Sequence, residues 1–203
     1  MNENDMQHGR YYAGQNISGY VSTEKYNGCR AYWDGEYLWS RGGLKISIPI
    51  AWRDSLPSGI HLDSELYDGV DGLSRCVSAV RYGHFTDTMR LMVFDCPSFA
   101  GNYLQRLSYA RQYAHGPIFV VDATVVSGMA HVIILLADVF SHHGEGLILR
   151  APGLQYEASR TSQILKLKSI PTDKPKTKRE RQQRERSFCP GSCCIVEGLW
   201  GEA

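Results

Sequence analysis

Three groups of residues in this chain have the type and spacing for chemistry. Lys25 sits in EKYNGCR, at the mouth of a glycine-containing turn and among aromatics. An amine there is a potential nucleophile, but an ordinary lysine has a pKa near 10.4. Attack at neutral pH therefore needs cationic neighbours or loss of water around the amine, and Arg30 lies five residues away. In QILKLKS, Lys166 and Lys168 are two apart on a strand-like run, hence on one sheet face, with Leu165 and Leu167 on the other. Two adjacent cations repel unless an anion lies between them, and a phosphate chain fits that place. Asp63 and Glu65 share a face of HLDSELYDG by the same period, and Glu145 stands between two glycines in GEGLILR. Carboxylates converging beside phosphates are a usual way to hold Mg²⁺ or Mn²⁺. Each feature alone also reads as solvated surface.

The elements that must position these groups follow from periodicity. From Gly19 to Arg53 the chain reads as short strands broken by glycines, and Asp34-Gly35, between AYW and YLW, predicts a hairpin with a tight primed turn. IHLDSELYDG reads as a strand, GLSRCVSAVRYG as a short helix, and RLMVFDCP as a strand stopped by proline. Tyr103 to His115 has amphipathic helical spacing. PIFVVDATVV then reads as one buried strand, Ser127 as the N-cap of a helix running to Gly144, and GLILR and QILKLKS as two further strands. Many short strands with a few helices predict an α+β fold of mixed or antiparallel sheets flanked by helices. His142-His143 read as a helix end satisfying the last carbonyls.

The chain has 203 residues, 43% hydrophobic and 21% charged, enough to bury a core, which excludes wholesale disorder, collagen and coiled coil. Net charge is +1, but residues 174–203 hold seven Lys/Arg against four Asp/Glu, leaving fifteen against seventeen in the rest. Polyanion contact is therefore expected from a local basic face or from the tail, not from the whole surface. No secretory signal is visible, and the longest uncharged apolar stretch, Ala123 to Ala137, is 15 residues, short of the roughly 20 that cross a bilayer. An intracellular setting is expected, with a nuclear location open because of the basic run KPKTKRERQQRER. Six scattered cysteines, without paired CxxC motifs, indicate a reducing compartment and neither a zinc site nor a disulfide framework. The sequence divides into a polar lead-in (1–18), a catalytic domain (19–170) and a basic tail (171–203) expected to be disordered.

The order of the chemical groups resembles the covalent nucleotidyltransferases: ATP-dependent DNA ligases, RNA ligases and mRNA capping enzymes. Lys25-Tyr26-Asn27-Gly28-Cys29-Arg30 resembles the ligases' Lys-x-Asp-Gly-x-Arg motif, and Ser40-Arg41 the Ser-Arg that follows it. LDSEL, with Glu65, resembles the third motif, and VFD, with Phe94, the aromatic strand motif. Glu145-Gly146 resembles the fourth and Lys166-Leu167-Lys168 the fifth. Small two-domain bacterial-type DNA ligases are the most similar, over residues 19–169, about three quarters of the chain.

The resemblance implies that Lys25 takes AMP from ATP and passes it to a 5′-phosphate at a nick in duplex DNA, for strand joining in repair and replication. Glu24, Arg30, Arg41, Glu65 and Phe94 would bind the nucleotide. Glu145 and Glu65 would hold Mg²⁺ or Mn²⁺, and Lys166 and Lys168 would neutralise the α-phosphoryl oxygens. The protein would act as a monomer, away from membranes. Two positions depart from the pattern. Asn27 replaces an aspartate, so adenylation would survive while DNA end-joining suffers, and Ser64 replaces a glycine, a source of crowding. The family's OB barrel, about 80–100 residues long as the resemblance implies, would follow the fifth motif, where 34 residues remain after Ser169. A truncated, alternatively spliced or frameshifted product with impaired sealing, or one relying on a barrel in trans, is expected on that ground. An inactive nucleotide- or DNA-end-binding module and an RNA ligase-like enzyme remain as alternatives.

Overall fold

The computed structural model describes residues 6–169. Eleven strands form two sheets in this region. The first has the order β1 (His8–Tyr11), β11 (Arg160–Leu167), β10 (Leu147–Arg150), β2 (Val21–Glu24), β9 (Ala123–Val125). The second has the order β5 (Lys45–Ile46), β4 (Leu38–Ser40), β3 (Cys29–Trp33), β6 (Leu62–Tyr67), β7 (Arg90–Asp95), β8 (Ile118–Val120). Pairing is antiparallel except for β1 with β11 and β7 with β8. Helices α1 (Ile50–Ser55), α2 (Leu73–Tyr82), α3 (Tyr103–Ala110) and α4 (Met129–Ser141) flank the sheets. The expected α+β architecture is present.

Three apolar clusters explain the layering. Alternation along β10 and β11 sends Leu147, Leu149, Leu165 and Leu167 to one face, where Val132, Leu136 and Val139 of α4 cover them. Those helical residues recur at i, i+4 and i+7, the stripe that one face of an α-helix presents. A second cluster joins Trp33, Leu66 and Leu91 of the other sheet to Trp52 of α1 and to Cys76 and Ala79 of α2. The third lies between the sheets, with Val21, Tyr103, Leu107 and Val121 buried and Met92 and Phe94 partly so. Helix ends match local chemistry: Asn102 and Gln105 form a reciprocal capping box at α3, and Gly83 closes α2 in the left-handed conformation.

The fold corrects several local expectations. The polar lead-in contributes β1, and Met6, Gln7 and His8 are buried, because β11 offers an edge for parallel pairing. The hairpin at Asp34-Gly35 exists, but the register Trp33↔Leu38 leaves a four-residue loop in place of a tight primed turn. Asp34 organises that loop by accepting the backbone N–H groups of Glu36 and Tyr37 and the indole N–H of Trp39. PIFVVDATVV is two strands in different sheets, with Val121 buried at the crossing and Phe119 and Val125 exposed. Ser127 does not cap α4; Gly128 occupies that position without a side-chain bond, and the helix ends at Ser141 with His142 as its C-cap. The helix from Tyr103 stops at Ala110 and tightens to 3₁₀ over Arg111–Tyr113, while α1 went unread in the glycine-broken strand region. Ser64 is buried and donates to the Ala31 carbonyl at 2.5 Å. Among the described residues Cys29, Cys76 and Cys96 are free thiols, and no helix is long and apolar enough to cross a membrane. The basic tail and the remaining cysteines lie outside the described residues.

Candidate active site

The cleft floor is one face of the β2–β10–β11 surface. Register pairs Thr23 with Ile148 and Ile148 with Lys166, so Thr23, Ile148 and Lys166 share a side while Leu165 and Leu167 face α4. Immediately beyond β2, the Lys25 N–H donates to the Gly146 carbonyl at 2.9 Å, which sets the nucleophile candidate beside the start of β10. Gly146 has φ +145°, and a Cβ there would stand 2.0 Å from the Leu167 carbonyl oxygen. Only glycine lets the two strand ends approach this closely. Gly28 serves the same purpose on the other side, where a Cβ would lie 2.0 Å from the Leu66 carbonyl oxygen. Both glycines therefore fix where Lys25 stands relative to the acidic strand and the paired lysines.

Glu145 is the hub. One carboxylate oxygen pairs with Lys25 Nζ and the other with Lys168 Nζ, and all three side chains are largely buried. Among the described residues, Lys166 on the same face makes no ion pair. Burial, then the positive charges of Lys25, Arg160, Arg30 and Arg41, push its ammonium down to about 8. Glu65 lies opposite Arg30 in the β3–β6 register. Burial raises its carboxyl to about 7, helped by Glu145 and opposed by Lys25, Arg30 and the Gly28 N–H, which it accepts. Cations and carboxylates thus interleave in one cleft, a balance that added phosphate would tip toward fully charged lysines.

Arg30 is held rigidly. Its Nε donates to Asp63 Oδ1 at 2.7 Å, a second guanidinium nitrogen pairs with Oδ2, and the Tyr156 hydroxyl donates to the same Oδ2 at 2.7 Å. Burial works against the Arg30 charge, but Asp63 more than restores it and raises its pKa. The Arg30 guanidinium also lies 5.1 Å from the Phe94 ring centroid. Arg41 is exposed on the turn after β4, close enough to contribute to the depression of Lys166. The structure therefore gathers Lys25, Glu145, Lys168, Lys166, Glu65, Arg30 and Phe94 into one neighbourhood. Glu24 is the exception among the expected residues: strand alternation turns its carboxylate toward Tyr26 and the end of α4, near His142. Its carboxyl is raised, chiefly by burial.

Among the described residues no three His, Cys, Asp or Glu gather as a metal site. Two carboxylates that repel each other across Lys25, Glu65 and Glu145, suit a hard divalent cation that takes most of its ligands from phosphate and water.

No family model matches the chain. A curated DNA ligase of Haemophilus influenzae (strain ATCC 51907 / DSM 11121 / KW20 / Rd) is 32% identical over 165 residues, 78% of this chain. A solved structure from a structure–function study of Lig E DNA ligases superposes with a TM-score of 0.72 at 27% identity, over 81% of this chain and 68% of that one. The chain is thus similar to DNA ligases over about four fifths of its length. The chain spans 61% of the curated ligase's length. The Chlorella virus DNA ligase-adenylate has the same fold, with a TM-score of 0.69 at 20% identity over 81% of this chain and 67% of its own. The sheet pairing described above is thus a fold shared with these ligases.

Sequence reasoning missed part of this candidate site. Asp63 was read with Glu65 as a possible metal carboxylate, but it is fully buried and spent on Arg30 and Tyr156. Tyr156 carried no local signal, since it reaches Asp63 from a loop 93 positions away. Arg150 did carry one: a charge closing the otherwise apolar run LILR, on the cleft side of the strand. The buried Arg106–Asp95 pair is structural, tying α3 to the end of β7, with Arg106 also donating to the Leu154 carbonyl.

Proposed function

We propose that this chain carries out ATP-dependent DNA joining through a covalent lysine–AMP intermediate. Lys25 Nζ attacks the α-phosphorus of ATP, a P–N bond forms, and the P–O bond to pyrophosphate breaks. The AMP then passes to the 5′-phosphate at a nick in duplex DNA, and the adjacent 3′-hydroxyl displaces it as the strand is sealed. The observation that carries this reading is the position of Glu145 between Lys25 and Lys168, with Lys166 on the same face. The paired lysines would neutralise charge growing on the α-phosphoryl oxygens, and preorganised cations are worth most in a water-poor cleft.

Phosphates entering the cleft compete with Glu145 for Lys168 and so loosen its hold on the nucleophile. Arg30 and Glu65 would bind the ribose, Phe94 would stack on the base, and Arg41 would reach the nick phosphate. Glu65 and Glu145 would hold Mg²⁺ or Mn²⁺, which supplies further charge neutralisation when bound. Residues 19–170 would form the catalytic unit, acting as a monomer on nicked DNA.

The test is incubation with α-labelled ATP and magnesium. Label is expected on the wild-type chain and absent from Lys25→Met. Label retained by Lys25→Met, or no label on the wild type, would overturn the covalent mechanism. ATP binding without label would favour a binding module, and sealing of nicked RNA in preference to DNA would favour the RNA ligase reading.

A further inference from the structure

Two carboxylates, Asp63 and Asp95, face each other across the β6–β7 ladder, where a bulge shifts the register. Both are buried, and each has its own arginine, Arg30 for Asp63 and Arg106 for Asp95. The connection from β10 to β11, residues 151–159, reaches both pairs from the other sheet. Arg106 donates to the Leu154 carbonyl at 2.8 Å, and the Tyr156 hydroxyl donates to Asp63 Oδ2 at 2.7 Å. The Gln7 N–H donates to the Tyr156 oxygen at 3.4 Å, and the Gln7 side chain to the Gln155 carbonyl at 3.0 Å. A backbone N–H can only donate, so the phenolic proton goes to Asp63. Burial and the Asp63 charge also raise the phenol, which keeps that proton in place.

Arg30 is the group that this bond aims. Its Nε and one terminal nitrogen are bonded to Asp63, its guanidinium lies 5.1 Å from the Phe94 centroid, and its side chain is 16% exposed. A guanidinium is a rigid planar fork, so fixing two of its nitrogens fixes the direction of the third. An arginine–carboxylate pair by itself can swing as one body about the aspartate side chain. The Tyr156 hydroxyl stops that motion, because it grips Asp63 from a different sheet. Asp63 is 0% exposed, so no water replaces the bond when the hydroxyl is removed.

We infer that Tyr156 is a positioning residue for nucleotide binding: its hydroxyl holds Asp63 so that Arg30 presents its third nitrogen to a ribose hydroxyl. This rests on the ribose role proposed above for Arg30. The phenol itself touches no ligand and acts only through Asp63 and Arg30.

The experiment is equilibrium binding to the full chain, without added metal, of ATP, 2′-deoxy-ATP and 3′-deoxy-ATP, using the wild type and Tyr156→Phe, which removes the hydroxyl and keeps the ring. Wild-type protein is expected to bind one deoxy analogue about ten- to hundredfold more weakly than ATP, the range for a lost charge-assisted hydrogen bond. In Tyr156→Phe that preference should largely disappear, through weaker binding of ATP with the deoxy analogue unaffected. A merely structural Tyr156 would weaken all three nucleotides alike and leave the preference intact, a result that would overturn the inference. Unchanged binding of all three by Tyr156→Phe would overturn it too. Equal binding of all three by the wild type, which needs no folded variant, would do the same. No ATP binding by the wild type would instead remove the parent reading, and this one with it.

Discussion

Lys166 offers the sharpest quantitative test of the cleft's electrostatics. Its ammonium falls from the ordinary 10.5 to about 8 in the folded protein, first through burial and then through Lys25 and the surrounding arginines. Between those two values the unfolded chain holds a proton that the folded chain has released. Stability therefore rises with pH across the window from about 8 to 10.5, and the full penalty applies below it. At 1.36 kcal/mol per unit, the displacement amounts to about 3 kcal/mol, a ceiling because the side chain keeps some contact with water. Lys166→Met removes the titrating group and keeps an unbranched apolar stem. Urea unfolding of both proteins should show the variant ahead by up to about 3 kcal/mol near pH 7, with the gap closing as pH approaches 10.5. Taking the difference between the two proteins cancels the tyrosines and cysteines that titrate in the same range. A gap that stays constant with pH would refute the account. The same shift predicts proton uptake when pyrophosphate binds at pH 8, read by calorimetry in two buffers of different ionisation enthalpy.

Three further perturbations test the scaffold. Gly28→Ala puts a methyl group 2.0 Å from the Leu66 carbonyl oxygen, so the β3–β6 junction must open. Displacing Lys25 by about 1 Å should slow label transfer from ATP about a hundredfold, measured in single-turnover assays. Arg106→Met leaves Asp95, 1% exposed, without its buried partner, and should cost about 3–5 kcal/mol at neutral pH by urea unfolding. Burial already raises the Asp95 carboxyl, so that cost should shrink on acidification, as the stranded carboxylate takes up a proton. Leu136→Ala, fully buried where α4 meets the first sheet, should cost about 2–5 kcal/mol with ATP affinity per folded molecule unchanged.

Much of the site was legible before any coordinates because its chemistry depends on local spacing. Period two alone puts Lys166 and Lys168 opposite Leu165 and Leu167, and the structure keeps that division between cleft and α4. Glycine next to Glu145 and glycine after Asn27 mark backbone approaches that no other residue tolerates. The strand run IHLDSELYDG and the helix in GLSRCVSAVRYG lie where their patterns put them. Less legible were elements whose state depends on a distant neighbour. β1 exists because β11 offers it an edge, and PIFVVDATVV divides because its two halves pair with strands from different sheets.

What the amino-acid order settled by itself was therefore the strand face on which Lys166, Leu165 and Leu167 lie, since alternation and glycine sterics act within a few residues. What the tertiary structure alone decided was how the charged groups are partnered. Glu145 meets Lys25 across 120 positions, and Asp63 is claimed by Arg30 and Tyr156. Such partnerships follow from sheet order and register, which bring remote segments within hydrogen-bonding reach, and no local pattern encodes them.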